Sequence, residues 1–545
     1  MKPYRWLILG LLGCLAVAAL AYFWTMGMMD SLFAYRSPLK DNPPAAGQPL
    51  GEPLTRRVVI VLIDALRQDT ALKADVMPFL GELRQQGAAA AMHSRPPSFS
   101  APAWTTLLTG AWPDINDGQP LNPPADARAF TQDDIFAAAD RAGLRTAVSG
   151  YGWFEGMLAN SGMDAGFYTP GEDHAADIEV VDAALPWLKS GDYQFILIHL
   201  DQVDYAGHHE GGPRDPRWDA AARRADALLG EIVSHLDLEQ DTVIVLSDHG
   251  QIDRGGHGGQ DAIVLLEPFV IAGKGVRPGA YADIGQIDVA PTIAALLGTH
   301  IPATAQGTVL REMLVLSSAQ ETQISAALVT QKNQLVDAYQ AAIGTVADQQ
   351  PPANALPSNL IDQARAKRLG LERIGRGLLA LFILVIPAVA LYLKRSKTVL
   401  WLLIGGILYV LVFNLRYAIL DGRTYSLSSV VSQNDLLIFN AVTAAIAIGV
   451  AWLATMLILG AFRLRPRRAA QLSLAQIFMV LFLLAIPILW SYVLNGAIIT
   501  WTLPDFASMF MGFISLVQSL MVAALGLVLA GVTALIAWAV ARFRT

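Results

Sequence analysis

The residue types best suited to chemistry in this chain are aspartates and histidines that follow short apolar runs. "RRVVIVLID" ends at Asp64, and "DTVIVLSDHG" places Asp248 directly before His249. "DYAGH" sets an aspartate and a histidine four residues apart, on one face of a helical turn. The glycines of "DRGGHGG" let the backbone return a further histidine toward the first pair. The whole set is Asp64, Asp204, His208, Asp248, His249 and His257.

Carboxylate and imidazole side chains in one cluster predict a metal site. This mixture of ligands suits Zn²⁺, with Mn²⁺ as the alternative. Six protein ligands are more than one tetrahedral ion accepts, whereas two ions about 4 Å apart would use all six and leave positions for a substrate. Taken singly, each residue has an ordinary alternative, since an aspartate after a strand often caps a helix. The other histidines are interpreted as solvated or hydrogen-bonded in the core: His93, His174, His199, His209, His235 and His300.

The runs that precede these aspartates are typical of buried strands. They are short, rich in β-branched residues and apolar on both faces, and helical patterns separate them along the chain. Alternation of this kind predicts an α/β domain whose mostly parallel sheet is flanked by helices. Ligands bind such sheets at the carboxyl ends of the strands, where these aspartates fall. Helices are predicted at about 76–87, 132–142, 175–189 and 215–236.

Apolar residues are concentrated at the two ends of the chain. The 545 residues are 54% hydrophobic with a mean hydropathy of +0.41, which is too apolar for an ordinary soluble protein. The short loops carry most of their lysine and arginine on one side, with Arg423 on the other, which predicts cytoplasmic termini and an extracytoplasmic central domain. Six runs are interpreted as membrane spans, at 6–28, 377–393, 399–420, 436–461, 472–494 and 509–540.

Charge and cysteine content narrow the class of protein further. The net charge of −7 argues against a nucleic-acid partner. The single cysteine, Cys14, lies in an apolar run, so the sequence has neither a disulfide framework nor a thiolate metal site. The sequence also contains no Asn-x-Ser/Thr acceptor site. Together these features favour a multi-pass cell-membrane protein of a prokaryotic envelope.

The patterns divide the chain into five parts. A cleaved signal peptide is the alternative to an anchor for the first run. The basic segment "RAKRLGLERIGR" is interpreted as an amphipathic helix at the membrane interface, with a solvated helix as the alternative. The five parts are an N-terminal anchor (1–28), a linker rich in Pro, Gly and Ala (29–56), a catalytic domain (57–315), a helical connector with the basic segment (316–376) and a membrane domain with five spans (377–545).

Five stretches resemble the alkaline phosphatase superfamily: "VLIDALRQD", "PPSFSAPAWTTLLTG", "DQVDYAGHHEGGP", "SDHGQIDRGGHGG" and "QIDVAPTIAALLG". Within it they resemble the type I phosphodiesterase/nucleotide pyrophosphatase group, and most of all the glycosylphosphatidylinositol (GPI) ethanolamine-phosphate transferases, over about residues 57–300. The resemblance implies an alkaline-phosphatase-like sheet and two zinc ions. It assigns Asp204, His208 and His257 to one ion and Asp64, Asp248 and His249 to the other.

Ser100 matches the nucleophile of these relatives, which also touches the second ion. A serine hydroxyl needs such activation to react at neutral pH. A helix predicted to begin near Pro102 would direct its amides toward phosphate oxygens. The resemblance implies a phosphoryl-serine ester that water or an alcohol resolves, giving hydrolysis or transfer. Ser98 and Thr105 are alternative nucleophiles, and a plain helix cap is the alternative role for Ser100.

The resemblance implies a metal-dependent transferase that moves a phosphoethanolamine-like group from a lipid to a glycan or glycolipid. Six spans exceed what anchoring requires, which favours a lipid substrate. Two departures matter: Ala103 stands where nucleotide pyrophosphatases usually place an asparagine, and Trp104 stands where sulfatases place an arginine. They weaken a nucleotide substrate and argue against a sulfatase. The alternatives are a membrane-tethered phosphodiesterase or nucleotide pyrophosphatase, and a degenerate scaffold without activity.

Overall fold

A computed structural model of the protein describes residues 5–123, 125–347, 359–430 and 432–543. Contacts within the chain group it into two compact units. The first, here called the globular unit, consists of Phe33–Arg368 together with Thr500–Leu503. The second, the helical unit, contains the rest of the described chain. The unit boundary falls at residue 368, whereas the sequence patterns end the connector at residue 376.

A nine-stranded sheet forms the centre of the globular unit, in the order β4-β3-β5-β1-β6-β7-β2-β8, with β9 paired to β2. Strands β4, β3, β5, β1 and β6 are parallel to one another, and β7 is antiparallel to both of its neighbours. The strands are β1 (Arg57–Ile63), β2 (Ala88–His93), β3 (Thr146–Tyr151), β4 (Ala165–Thr169), β5 (Phe195–Leu200), β6 (Asp241–Leu246), β7 (Leu266–Gly273), β8 (Gly279–Ala280) and β9 (Ile284–Gly285).

The three central strands are buried along their whole length. Every residue of β1, β5 and β6 is buried, and their side chains enter a separate apolar cluster on each face of the sheet. Helices cover both faces because an apolar strand surface left in water would cost about 25 cal/mol for each Å² exposed. The predicted α/β class with a mostly parallel, helix-flanked sheet is confirmed.

Eleven helices of the globular unit flank this sheet or follow it. Four of them match the predicted positions to within about three residues, and the stretch that carries Ser100 is helical as expected. The eleven are α2 (Gln68–Ala71), α3 (Pro78–Gln86), α4 (Ser100–Thr109), α5 (Pro113–Asn116), α6 (Ile135–Arg141), α7 (Trp153–Met157), α8 (His174–Ser190), α9 (Gln202–His209), α10 (Pro216–Ser234), α11 (Val289–Leu297) and α12 (Ser318–Ile343).

Among the described residues, six helices are long and apolar enough to cross a membrane, in agreement with the six predicted runs. The basic segment at 365–376 is continuous with the second of them, because one helix runs without interruption from Leu360 to Leu393. The segment is therefore helical, and its position at a membrane interface stays a prediction. The six are α1 (Arg5–Phe33), α13 (Leu360–Leu393), α14 (Lys397–Asn414), α15 (Gln433–Ile458), α16 (Pro466–Asn495) and α17 (Phe506–Arg542).

Candidate active site

The carboxyl ends of β1, β5 and β6 meet at one edge of the sheet. Asp64 directly follows β1, and Asp248 lies two residues beyond β6. Directly after Asp64 the chain turns at Ala65, whose φ of 59° is unusual for a residue with a side chain. This turn lets the Ala65 N–H donate to Asp248 Oδ1 at 3.1 Å. The backbone is thus bent at the strand end in a way that brings the two carboxylates together.

The first ligand set joins helix α9 to the glycine-rich loop. Asp204, His208 and His257 each offer a ligand atom, and these atoms lie within 4.8 Å of one another. The Nε2 atoms of His208 and His257 are 3.0 Å apart. Asp204 Oδ2 is 3.4 Å from His208 Nε2, and Asp204 Oδ1 is 3.6 Å from His257 Nε2. These three residues are the ones that the resemblance assigns to one ion.

The second ligand set surrounds His249 Nε2. Asp64 Oδ1 and Asp248 Oδ2 each lie 3.5 Å from this nitrogen, and Ser100 Oγ lies 3.2 Å from it. Asp204 also belongs near this group, since it shares a 4.8 Å cluster with Asp64 and His249. The rings of His249 and His257 stack with their centroids 4.0 Å apart. The two sets therefore lie side by side, and the structure brings all seven predicted residues together.

The hydrogen bonds of two imidazoles leave a nitrogen lone pair directed into the cluster. His257 Nδ1 donates to Ser98 O at 3.2 Å, and His249 Nδ1 donates to Gly250 O at 3.1 Å. The Nε2 atom of each ring is then unprotonated when the ring is neutral. Burial lowers the pKa of His257 to about 3 and that of His249 to about 4. Both rings are neutral at pH 7, which is the form that binds a metal.

The carboxylates are crowded in a way that a cation would relieve. Burial, followed by the charge of Asp248, raises the pKa of Asp64 well above its usual range. Asp64 Oδ1 is buried and has no hydrogen-bond partner in the described part of the chain. An orphaned buried oxygen facing neutral imidazole lone pairs fits a divalent ion, which takes such donors and cancels the repulsion. The residues present therefore suit the metal that the resemblance implies.

Ser100 is distinguished from the other hydroxyls by its surroundings. It is the first residue of α4, and its hydroxyl faces His249 rather than capping the helix. Ser98 Oγ donates to Gly259 O at 2.9 Å, and Thr105 Oγ1 donates to Ala101 O at 2.8 Å. Both alternative nucleophiles are thus engaged with the backbone. The plain cap interpretation of Ser100 is wrong, because α4 has no side-chain cap bond at its start.

Asn122 is a loop residue whose side chain contacts the start of α4, and the sequence motifs did not indicate it. Its Oδ1 accepts a hydrogen bond from Ala101 N at 3.0 Å, one residue after Ser100. Among the described residues its Nδ2 makes no hydrogen bond, so two donors remain. An amide group therefore accompanies the helix N-terminus although position 103 is alanine. This weakens the argument against nucleotide substrates, and only the folding of a loop 22 residues away could reveal it.

Two further side chains form hydrogen bonds with the carboxylates of Asp64 and Asp248. His199 Nε2 lies 2.9 Å from Asp64 Oδ2, and Trp104 Nε1 donates to Asp248 Oδ2 at 2.9 Å. His199 was interpreted as solvated or hydrogen-bonded in the core, and the second of these is the case. The sequence could have indicated this bond, because His199 follows "FILI" in a fully buried strand, where a histidine needs a polar partner.

Gln251 orients the first ligand set and depends on Gly207 for its space. Its Nε2 donates to Asp204 Oδ1 at 2.6 Å, and its Oε1 accepts from Gly256 N at 3.2 Å. A Cβ at position 207 would lie 1.8 Å from that Oε1. We expect Gly207→Ala to displace the amide and lower metal affinity about 10- to 100-fold. Metal content after dialysis measures this. Gly81→Ala, in open space on α3, should leave it unchanged.

Residues 58–267 match the family model described as "Type I phosphodiesterase / nucleotide pyrophosphatase". This range contains β1 except Arg57, helix α4 and all seven predicted site residues. The resemblance recognised in the motifs is therefore confirmed, and it covers the part of the chain that carries the site.

Curated relatives narrow the class. The chain is 27% identical over 286 residues to the mouse "GPI ethanolamine phosphate transferase 3, catalytic subunit", covering 47% of this chain and 26% of that protein. It is 28% identical over 283 residues to the human "GPI ethanolamine phosphate transferase 2, catalytic subunit", covering 48% and 28%. The chain thus spans about a quarter of the length of these phosphotransferases.

Among solved structures, wild-type alkaline phosphatase PafA is similar, with a TM-score of 0.40 and 11% identity over 49% of this chain and 100% of that one. Murine ectonucleotide pyrophosphatase/phosphodiesterase 5 gives 0.38 and 13% over 48% and 100%.

Proposed function

We propose that this chain is a membrane-anchored, two-metal phosphoryl-group transferase that acts outside the cytoplasm through a covalent Ser100 intermediate. The observation that carries the proposal is the position of Ser100 Oγ, 3.2 Å from an imidazole nitrogen that two carboxylates also face. A hydroxyl at the centre of a ligand set is placed to be both bound and activated. The catalytic part is residues 57–315, and residues 1–28 and 377–545 serve as its membrane portion.

Two divalent ions, Zn²⁺ or Mn²⁺, would supply Lewis acidity and charge neutralisation when bound. Asp204, His208 and His257 would hold one, and Asp64, Asp248 and His249 the other. Ser100 Oγ attacks phosphorus, the Oγ–P bond forms, and the bond from phosphorus to the leaving alcohol oxygen breaks. The serine proton leaves to solvent or with that alcohol. The amides at the start of α4 bind the phosphate oxygens during this step.

The second half of the reaction decides between transfer and hydrolysis. An acceptor hydroxyl attacks the phosphoseryl group, its oxygen bonds to phosphorus, and Ser100 is regenerated. The curated relatives named as GPI ethanolamine phosphate transferases support an ethanolamine-phosphate group and a glycan or glycolipid acceptor. Six apolar helices support a lipid donor, since they would keep the site close to a bilayer. The distribution of basic loop residues supports cytoplasmic termini and an extracytoplasmic site. The single cysteine and the lack of Asn-x-Ser/Thr acceptor sites in the sequence favour a prokaryotic envelope.

A membrane-tethered phosphodiesterase or nucleotide pyrophosphatase is the second candidate. The family match over 58–267 and the amide of Asn122 beside the nucleophile favour it. It would use the same residues, with water as the acceptor. A scaffold without activity would have no use for a buried, unpartnered Asp64 oxygen, because that atom lowers stability unless a cation meets it.

Purified full-length protein in detergent, incubated with headgroup-labelled phosphatidylethanolamine and a glycolipid acceptor, tests the transferase. We expect label in the acceptor, in proportion to active protein. Release of labelled phosphoethanolamine into water at the same rate, with or without acceptor, would favour the phosphodiesterase. Absence of any turnover together with absence of bound metal would support the scaffold and overturn the proposal.

Asn122 provides a test of how the phosphate is held. If its free Nδ2 donates to a phosphate oxygen as charge develops, Asn122→Ala should lower kcat by about 10²-fold. Steady-state rates on a chromogenic phosphodiester measure this. Asn122→Asp keeps the Oδ1 contact with Ala101 N but loses both donors, so it should be no more active than the alanine variant. Recovery of full activity in the aspartate variant would contradict the donor role.

A further inference from the structure

Three rings pack together directly behind the second ligand set. Trp104 stacks on Phe154 with centroids 4.3 Å apart and planes 11° from parallel, and it meets the His199 ring edge-on at 4.7 Å. Phe154 also contacts His199, with centroids 5.5 Å apart. All three side chains are at most 1% exposed. We call this group the aromatic triad. Its two polar members point their N–H groups at two different carboxylates of the site.

The proton of His199 lies on Nε2. Its Nδ1 is buried and has no hydrogen-bond partner in the described chain, so a proton there would be left unsatisfied. Its Nε2 is 2.9 Å from Asp64 Oδ2, an acceptor that suits an N–H donor. The ring is therefore the neutral Nε2–H tautomer. It occupies Oδ2 of Asp64 and leaves the orphaned Oδ1 to face His249.

Trp104 holds the other carboxylate at Asp248 Oδ2, the oxygen that lies 3.5 Å from His249 Nε2. Indole Nε1–H is a donor only, and here it meets Asp248 Oδ2 at 2.9 Å. Asp248 Oδ1 is already held by the amides of Ala65 at 3.1 Å and of its own neighbour His249 at 3.0 Å. The carboxylate is thus fixed from three directions. Rotating its plane would break at least one of these hydrogen bonds.

We propose that Trp104 and His199 are positioning residues that raise the affinity of Asp64, Asp248 and His249 for their metal ion. Each donates one N–H to a carboxylate oxygen, His199 to Asp64 Oδ2 and Trp104 to Asp248 Oδ2, and Phe154 packs against both rings. The inference rests on the proposed metal centre, and it extends that proposal from the ligands to the side chains that orient them. Partners that orient ligands typically contribute 10- to 100-fold in metal affinity.

The proposal separates the two ions. The first ligand set takes its orienting bond from Gln251, which donates to Asp204, and neither ring nitrogen of the triad hydrogen-bonds to that set. Removing a triad donor should therefore weaken one ion and spare the other. A role in packing alone would lower the stability of the globular unit without this selectivity.

The test compares zinc affinities of the full-length protein in detergent by chelator competition. The wild type should bind about two ions. Trp104→Phe keeps an aromatic ring and loses the N–H, and His199→Leu loses the other donor. Each should weaken one ion by about 10- to 100-fold and spare the second. His199→Gln, which keeps an N–H, should recover part of the loss. The visible spectrum of cobalt-substituted protein should change in both donor variants.

Phe154→Leu is the matched control, because Phe154 touches both rings and donates no hydrogen bond. It should lower Tm while both ions keep their affinity. Wild-type affinity and an unchanged cobalt spectrum in Trp104→Phe and His199→Leu would overturn the inference, as would equal weakening of both ions. A wild type that binds no ion would instead refute the proposed metal centre itself. The two donors act on different carboxylates, so either variant alone is decisive.

Discussion

Replacing Ser100 with alanine is expected to lower kcat by on the order of 10⁴-fold or more and to abolish any covalent adduct. The physical reason is that Ser100 Oγ lies 3.2 Å from the His249 ring nitrogen Nε2, while Ser98 and Thr105 hydrogen-bond to backbone carbonyls. The change removes one oxygen at the start of α4 and no hydrogen bond that caps the helix. Phosphodiester turnover by the purified protein measures the effect, with Tm and metal content determined alongside.

Two outcomes would separate this account from its alternatives. Ser98→Ala is the matched control. The hydroxyl that it removes donates to Gly259 O, so the variant should have a lower Tm but a turnover number close to that of the wild type. A Ser100→Ala protein whose kcat falls by about tenfold or less would contradict the assignment of the nucleophile. An adduct that appears on Ser98 or Thr105 would contradict it as well.

Removing one ligand from each set is the second change with a large expected effect. Asp64→Asn and His208→Gln should each lower turnover by about 10³-fold or more, because a two-metal site needs both ions to bind the attacking and leaving oxygens. Metal content should fall from about two ions toward about one in each case. Elemental analysis of the dialysed protein, together with rates, measures both quantities.

His209→Gln provides the control for the ligand variants. His209 directly follows His208, but it is exposed and its ring packs on Tyr205 at 4.6 Å instead of facing the ligand sets. It should leave both turnover and metal content unchanged. Equal loss in His209→Gln, or wild-type metal content in both ligand variants, would show that the clustered side chains do not bind the ions.

Much of the site could be predicted from sequence because it lies at strand ends. Apolar, β-branched runs predict β1 and β6, and the residues just after them, Asp64 and Asp248, must meet at one edge of a parallel sheet. Asp204 and His208 are four residues apart, so α9 places them on the same face. Each of these inferences needs only local spacing and a known topology.

The orienting groups could not be predicted in the same way. Asn122 reaches Ala101 from a loop, and Trp104 reaches Asp248 across 144 positions of sequence. For His199 the sequence leaves open a solvated or a core position, and the strand pattern of β5 does not state which neighbour it faces. Such contacts depend on the order of strands in the sheet, β5-β1-β6, which apolar patterns alone leave open.

The most direct test of the central claim is the mass of the Ser100 peptide after incubation of the full-length protein with a lipid extract and rapid acid quenching. The account predicts a fraction of this peptide heavier by one phosphoethanolamine-type group, lost on addition of acceptor and absent after metal removal. Continued turnover with the Ser100 peptide at its unmodified mass, under conditions that trap the ester, would contradict it.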